Sequence, residues 1–424
     1  MNDATRIVEV RGRRVWDSRG RPTVEAEVAL GGGARGRAIA PAGASTGSGE
    51  ALDRRDGGAT FGGYDVRAAL ASIGDEIAPA LAGLDAEDQA AVDRRLIELD
   101  GTPDKARLGA NATIAVSMAV VRAAAAAAGA PLWRYLRPER AALPLPEIQI
   151  FGGGAHAGRR VDIQDFMVVC PGAATFAQAL DWTAEVYRMA GALMAEAGKL
   201  TGVADEGGYW PDFAINEEAL EMLMRAIERA GFAPGEQVAV ALDVAASEFG
   251  QGGIYKLGLE GRELDSEGMI DLLLRWLQRY PIVSIEDPLG EDDQKGFAAF
   301  TRAVGERCQV VADDLTVTDA ARVRAAAEAK AANTLLIKPN QRGTLTETRA
   351  AWEAARAAGW SGIVSARSGE TEDTTIVHLA IGWGVPQLKV GSFARSERMA
   401  KWNEALRIEE ALGAGAKLAR PFAR

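Results

Sequence analysis

The sequence predicts an α/β protein in two parts: an N-terminal α+β capping domain over residues 1–135 and a modified TIM-type α/β barrel over residues 140–424. Three observations lead there. At 424 residues the chain is too long for one small core, and it suits a barrel of roughly 250 residues plus a second domain. From about residue 145 onward, short apolar runs alternate with amphipathic helical segments, the pattern of repeated βα units. Six of these runs in succession carry a charged residue at or near their end.

The elements follow in order. TRIVEVRGRRVW and TVEAEVAL both alternate, and DSRGRP between them is turn chemistry, so residues 5–30 read as two strands around a turn. A Gly/Ala/Ser-rich stretch then ends in a loop at 42–50. Helical patterns run from about Asp65 to Tyr135, clearest in the Ala-rich run Ala115–Ala128. Pro131 and the Pro-Leu-Pro at 144–146 mark the domain boundary. In the second part, QVAVALD ends at Asp243, PIVSIED carries Glu286, and QVVADD gives Asp313 and Asp314. TLLIK ends at Lys338, SGIVSARS contains Arg367, and VPQLKVG carries Lys389. Their spacing of roughly 20–45 residues allows one strand-helix unit each. Any one of these charges alone would read as a solvated loop residue. Six in succession do not, because a buried strand gains nothing from an isolated charge unless that charge faces something. In a barrel the C-terminal strand ends converge on the face that carries active sites.

Composition narrows the partner. The net charge of −11 leaves no electrostatic footprint for nucleic acid or an anionic membrane, so positive charge for an anionic small molecule must be local. Two distant cysteines, Cys170 and Cys308, suggest neither a disulfide framework nor a zinc site and point to a reducing cytoplasm. The N-terminus has no apolar signal core. With only two histidines, His156 and His378, any catalytic argument rests on lysines and carboxylates; His378 reads as part of a barrel helix, without a role.

Three carboxylates on adjacent strands, Asp243, Glu286 and Asp313, without Cys or His, make a hard-oxygen site that fits Mg²⁺. A lysine beside a divalent cation and a second lysine should have a lowered pKa, which makes it a possible general base at neutral pH. A metal on a carboxylate with a basic lysine facing the α-carbon is the arrangement that stabilises an ene-diolate.

At these residues the chain resembles the enolase family over nearly its whole length. The matching stretches include DSRGRPTVE at 17–25, GASTG at 43–47, LGANATIAVS at 108–117, HAG at 156–158, DEGG at 205–208, SIEDPLGEDD at 284–293, VADDLTVT at 311–318, IKPNQ at 337–341 and RSGETEDT at 367–374. The resemblance implies that Asp243, Glu286 and Asp313 hold a first Mg²⁺ and that Ser45 ligates a second arriving with substrate. It implies Lys338 as the base, Glu206 as the acid that helps a β-hydroxyl leave, and Lys389 as the holder of the substrate carboxylate. Arg367 and Ser368 match a phosphate-binding pair, and His156 belongs to a mobile loop that closes over a small phosphorylated carboxylate. Glu25 and Arg407 match residues that meet across a homodimer. Without the resemblance, His156 would read as a surface-loop histidine and Glu206 as turn chemistry.

Several departures fall in the same site. Enolases read S-H-R-S where this chain has Ser365, Ala366, Arg367 and Ser368. Their Q-E-F becomes Gln164, Asp165, Phe166, shortening an active-site carboxylate by one methylene. Gly49, Gly152 and Arg342 are further differences. The metal ligands and both lysines are untouched. The leading expectation is therefore a Mg²⁺-dependent lyase interconverting 2-phosphoglycerate and phosphoenolpyruvate or a close analogue. The alternative is a paralogue similar to carboxyphosphonoenolpyruvate synthase of phosphonate antibiotic pathways, with room for a larger phosphorus substituent. A non-catalytic scaffold is the third reading, opposed by the intact lysines and carboxylates.

Overall fold

A computed structural model describes residues 3–136, 142–305 and 307–422. The predicted opening strands are β1 (Ile7–Trp16) and β2 (Pro22–Leu30), antiparallel, and β3 (Arg35–Ile39) adds to β2. The turn between β1 and β2 is closed by Asp17, whose Oδ1 accepts from the backbone N–H of Arg19 at 2.9 Å and of Arg21 at 2.8 Å. The Ala-rich run forms the helix Ala110–Ala127, which packs on this sheet. Its approach requires Gly36, where an added Cβ would lie 2.2 Å from both Ala119 O and Ala123 N. By length and composition this helix could cross a membrane, but 83% of it is buried inside the protein. The boundary expected between residues 135 and 140 falls largely on 137–141, outside the described residues.

The second part is a closed eight-stranded barrel. Its strands are β4 (Leu145–Gly152), β5 (Asp165–Val169) and β6 (Ala239–Asp243), then, after a small outer sheet of β7 (Gly250–Gln251), β8 (Ile254–Leu257) and β9 (Arg262–Asp265), β10 (Ile282–Glu286), β11 (Gln309–Ala312), β12 (Thr334–Ile337), β13 (Ser361–Ser365) and β14 (Gln387–Ser392). The circular order is β4-β5-β6-β10-β11-β12-β13-β14. Helices fill the connections, several started by side-chain caps: Thr175, Asp265, Asp293, Asp319 and Thr344 each accept from a backbone N–H in the first turn.

The uniform parallel repeat expected from the sequence fails at the second strand. β5 runs antiparallel to both β4 and β6. The connection 153–164 has no room for a crossover helix, and without one the chain can only return as a hairpin. This reversal has a functional consequence. Because β5 starts where its neighbours end, Asp165 pairs with Gly152 and with Asp243 at the active face of the barrel.

Below that face the barrel interior is divided. Val311, Leu336 and Ile363, all fully buried, form an apolar layer on β11, β12 and β13. A polar chain runs from β11 to β14 and β4: Gln309 Nε2 donates to Gln387 Oε1 at 2.7 Å, and Gln387 Nε2 donates to Glu147 Oε2 at 3.2 Å.

Candidate active site

Asp243 and Glu286 close their strands, Asp313 and Lys338 each follow theirs by one residue, and Lys389 lies within β14. All five are buried at the same end of the barrel. Lys389 Nζ donates to Asp243 Oδ2 at 2.7 Å and Glu286 Oε2 at 2.8 Å, and lies 3.3 Å from Asp165 Oδ2. Lys338 Nζ donates to Asp313 Oδ2, whose partner oxygen accepts from Gln341 Nε2 at 2.8 Å. The structure thus gathers the three predicted metal carboxylates and the two lysines at one end of the barrel in two ion-paired groups, Lys389 with Asp243 and Glu286, and Lys338 with Asp313; among the described residues the three carboxylates do not bring one oxygen each within 4.8 Å of one another.

The donor set fits a hard divalent cation. Asp243 Oδ1 is buried without a hydrogen-bond partner. Burial and the neighbouring Asp243 push the Glu286 carboxyl well above its ordinary range, although Lys389 pulls it down. The position of Asp313 is fixed from behind. Asp287 accepts from the backbone N–H of Asp313 and of Asp314, both at 2.9 Å, so its carboxylate orients the acidic turn. Oxygens of Asp287, Asp313 and Asp314 all lie within 4.8 Å of one another.

The expected lowering of the Lys338 pKa is not found. Burial pulls it down most, but attraction from Asp313 together with Glu286 outweighs burial, and the net direction is up. A lowered pKa requires a cation to engage those carboxylates. With the carboxylates facing lysine instead, the sign reverses.

The other wall carries the remaining candidates. His156 comes from a tight turn at Gly154–Ala157, where Gly154 has φ +47. It is buried, not an exposed loop residue: Nδ1 lies 3.2 Å from Asp165 Oδ1, and Nε2 lies 3.0 Å from Ser368 Oγ and 3.7 Å from Glu206 Oε1. Burial lowers its pKa, but Glu206 and Asp165 together raise it above its ordinary value. Asp165 moves the opposite way. Burial would raise its pKa, yet Lys389 and His156 hold it below the usual carboxylate range. Gln149 Nε2 also donates to Asp165 Oδ1. Ser45 lines the same cavity, and its carbonyl accepts from Arg367 Nη2 at 2.9 Å.

The space between these walls is about 20 Å³, room for about one water. Ala366 lines it, 6% exposed. A larger surface cavity of about 800 Å³ lies between Arg159–Asp162 and β7–β9, and none of the predicted site residues line it. Of the predicted dimer pair, Glu25 is buried against Arg13 at 2.6 Å and Arg37 at 3.3 Å, while Arg407 is exposed and pairs with Glu404 at 3.0 Å.

Sequence reasoning missed four residues. Arg398, fully buried, donates through Nη1 to the carbonyls of Arg367 at 2.7 Å and Val390 at 2.9 Å, and through Nη2 to that of Ser368. Gln341 and Glu50 hold Asp313 and Arg367 respectively. Glu147 lies in the barrel interior beside Lys389, its register partner. Burial pushes its pKa up to about 7 although Lys389 pulls it down. A glutamate inside the apolar run LPLPEIQIF was the one visible signal among these.

Comparison with known proteins agrees with this geometry. Residues 7–136 match the family described as "Enolase, N-terminal domain", and residues 140–421 match "Enolase, C-terminal TIM barrel domain". A protein named Enolase 1, from Desulfitobacterium hafniense (strain Y51), is 49% identical over 416 residues, which is 97% of this chain and 95% of that protein. The chain therefore belongs to the enolase family and is an enzyme of its carbon–oxygen hydro-lyase, phosphopyruvate hydratase, type.

Proposed function

We propose that this enzyme removes the proton α to the carboxylate of a small phosphorylated hydroxy acid, 2-phosphoglycerate or a close analogue, and eliminates the β-hydroxyl as water. One observation carries the reading: at one end of the barrel Lys389 pairs with Asp243 and Glu286 and Lys338 pairs with Asp313, and Arg367 and Ser368 line the same cavity as the two lysines. Asp243, Glu286 and Asp313 would hold Mg²⁺, and Ser45 a second ion arriving with substrate. Mg²⁺ there supplies Lewis-acid stabilisation of the negative charge that develops on the substrate carboxylate.

The protein's own groups do the rest. Lys389 releases Asp243 and Glu286 and takes the substrate carboxylate. Lys338, neutral once Asp313 no longer pairs with it, accepts the α-proton, and the freed electron pair is first held on the substrate carboxylate as an ene-diolate; in a second step that pair forms the C=C bond as the C–O bond to the β-hydroxyl breaks. Glu206 gives that hydroxyl its proton, so water leaves. Arg367 and Ser368 bind the phosphate, and His156 and Asp165 close the site on the side of the leaving group. Two copies would pair through Glu25 and Arg407, and the two free, buried cysteines suit a reducing cytoplasm.

A second reading is favoured by one feature. Ala366 lines the cavity where the family has an imidazole, and Asp165 in the same lining is one methylene shorter, which would suit a bulkier phosphorus substituent only if the space, about 20 Å³ here, widened on binding. The test is to follow deuterium incorporation at the α-carbon and enol absorbance together, with 2-phosphoglycerate and Mg²⁺ in D₂O. Exchange that outruns dehydration supports an altered leaving-group side. Dehydration as fast as exchange supports the ordinary hydratase and removes the motive for the second reading.

A further inference from the structure

The loop after β3 carries a carboxylate whose contacts reach three parts of the site. Glu50 is buried, and Oε1 accepts from Gly47 N at 3.1 Å, Gln341 Nε2 at 3.2 Å and Arg367 Nη2 at 3.3 Å. Oε2 accepts from Arg367 Nη1 at 2.9 Å. Arg367 also donates to Asn340 Oδ1 at 3.1 Å and to the Ser45 carbonyl at 2.9 Å. A guanidinium has five N–H groups. Four of those on Arg367 are spoken for by Glu50, Ser45 and Asn340. Gln341 in turn donates to Asp313 at 2.8 Å.

We propose that Glu50 is a positioning residue that ties the loop bearing Ser45 to Arg367, so that Ser45 is held over the barrel by the same arginine that would receive an anion. The proposal rests on the reading of Arg367 as the phosphate-binding group. The tether is the buried ion pair of this loop, whose start is also held by Arg19 Nη2 on the Ala42 and Gly43 carbonyls at 2.9 and 3.3 Å and by the Ala42–Gly369 backbone pair at 2.9 Å. The other polar hold on its tip, Ser48 N and Oγ on Glu291 Oε2 at 2.9 Å, is exposed and contributes little. The Glu50–Arg367 pair is buried and doubly hydrogen-bonded, and losing one partner leaves an uncompensated charge. The far side of the loop is already filled. Gly49 has φ +93, and a Cβ there would lie 2.2 Å from Arg322 Nη2, so the loop packs closely in this closed position.

The test is hydrogen exchange, read by mass spectrometry on the peptide covering 42–50, in native protein and Glu50→Gln, each alone and with Mg²⁺ plus inorganic phosphate. Without ligand, Glu50→Gln should raise exchange of this peptide at least about tenfold, while barrel peptides keep native rates. The phosphate concentration for half-protection should rise by a similar factor, a change that mere loss of packing would not produce. If Glu50→Gln does not fold, Glu50→Asp, which keeps the charge at shorter reach, should exchange this peptide faster than the native protein, and a native rate there overturns the tether. A native exchange rate for 42–50 in Glu50→Gln overturns the tether, as does loss of protection spread equally over the barrel. If phosphate fails to protect this peptide in the native protein, the reading of Arg367 falls, while the ligand-free comparison still decides the tether.

Discussion

Glu147 offers a quantitative handle on the barrel interior. Its carboxyl is fully buried with a single side-chain hydrogen bond, from Gln387, and burial moves its pKa from 4.5 to about 7. The sign follows from proton linkage. A carboxyl with a raised folded-state pKa favours the folded protein while it is protonated. That contribution is complete below about pH 4.5, fades as pH rises, and is gone above about pH 7. A shift of that size corresponds to a loss on the order of 3 kcal/mol across the window. Glu147→Gln keeps the shape without the ionisation. Metal-free native and variant proteins should therefore have similar urea-unfolding free energies near pH 4.5, and the variant should gain steadily to about 3 kcal/mol by pH 8. A difference that stays constant across this range, or that favours the native protein as pH rises, would refute the reasoning.

Three further predictions concern the site and the fold. Asp243→Asn should weaken Mg²⁺ binding at least about tenfold by calorimetry, because it removes charge from a carboxylate with a buried, unpartnered oxygen; unchanged affinity would move the metal elsewhere. Ala366→His combined with Asp165→Glu should raise dehydration of 2-phosphoglycerate by about 10²-fold or more while exchange of the α-proton changes little, since one acid/base group carries that much; equal effects on both steps would contradict the separation. Gly36→Ala should lower stability by about 1–3 kcal/mol in thermal unfolding, because the added methyl meets the backbone of helix Ala110–Ala127.

What the sequence made legible was periodic or unusual on its own strand. The charges at 243, 286, 313, 338 and 389 stand out because each interrupts an apolar run, and the structure gathers all five at one end of the barrel. The antiparallel β5 was not legible from periodicity, since a buried strand looks alike in either direction and only the short 153–164 connection decides it. Glu50, Gln341 and Arg398 escaped for a different reason. Each is polar in a locally ordinary setting, and its importance arises from partners far away in sequence, such as Glu50 on Arg367 and Arg398 on the 367–368 backbone. The direction of the Lys338 pKa depends on whether Asp313 faces the lysine or a cation, which residue order does not encode.

The central claim is that Lys338 takes the α-proton inside the carboxylate-lysine cluster. Its most direct test is the rate of deuterium incorporation into 2-phosphoglycerate, with Mg²⁺ in D₂O, for native protein and Lys338→Ala. The account predicts clear exchange in the native protein and a loss of about 10²–10⁴-fold or more in the variant, with the fold and Mg²⁺ binding retained. Exchange at the native rate in Lys338→Ala would contradict it.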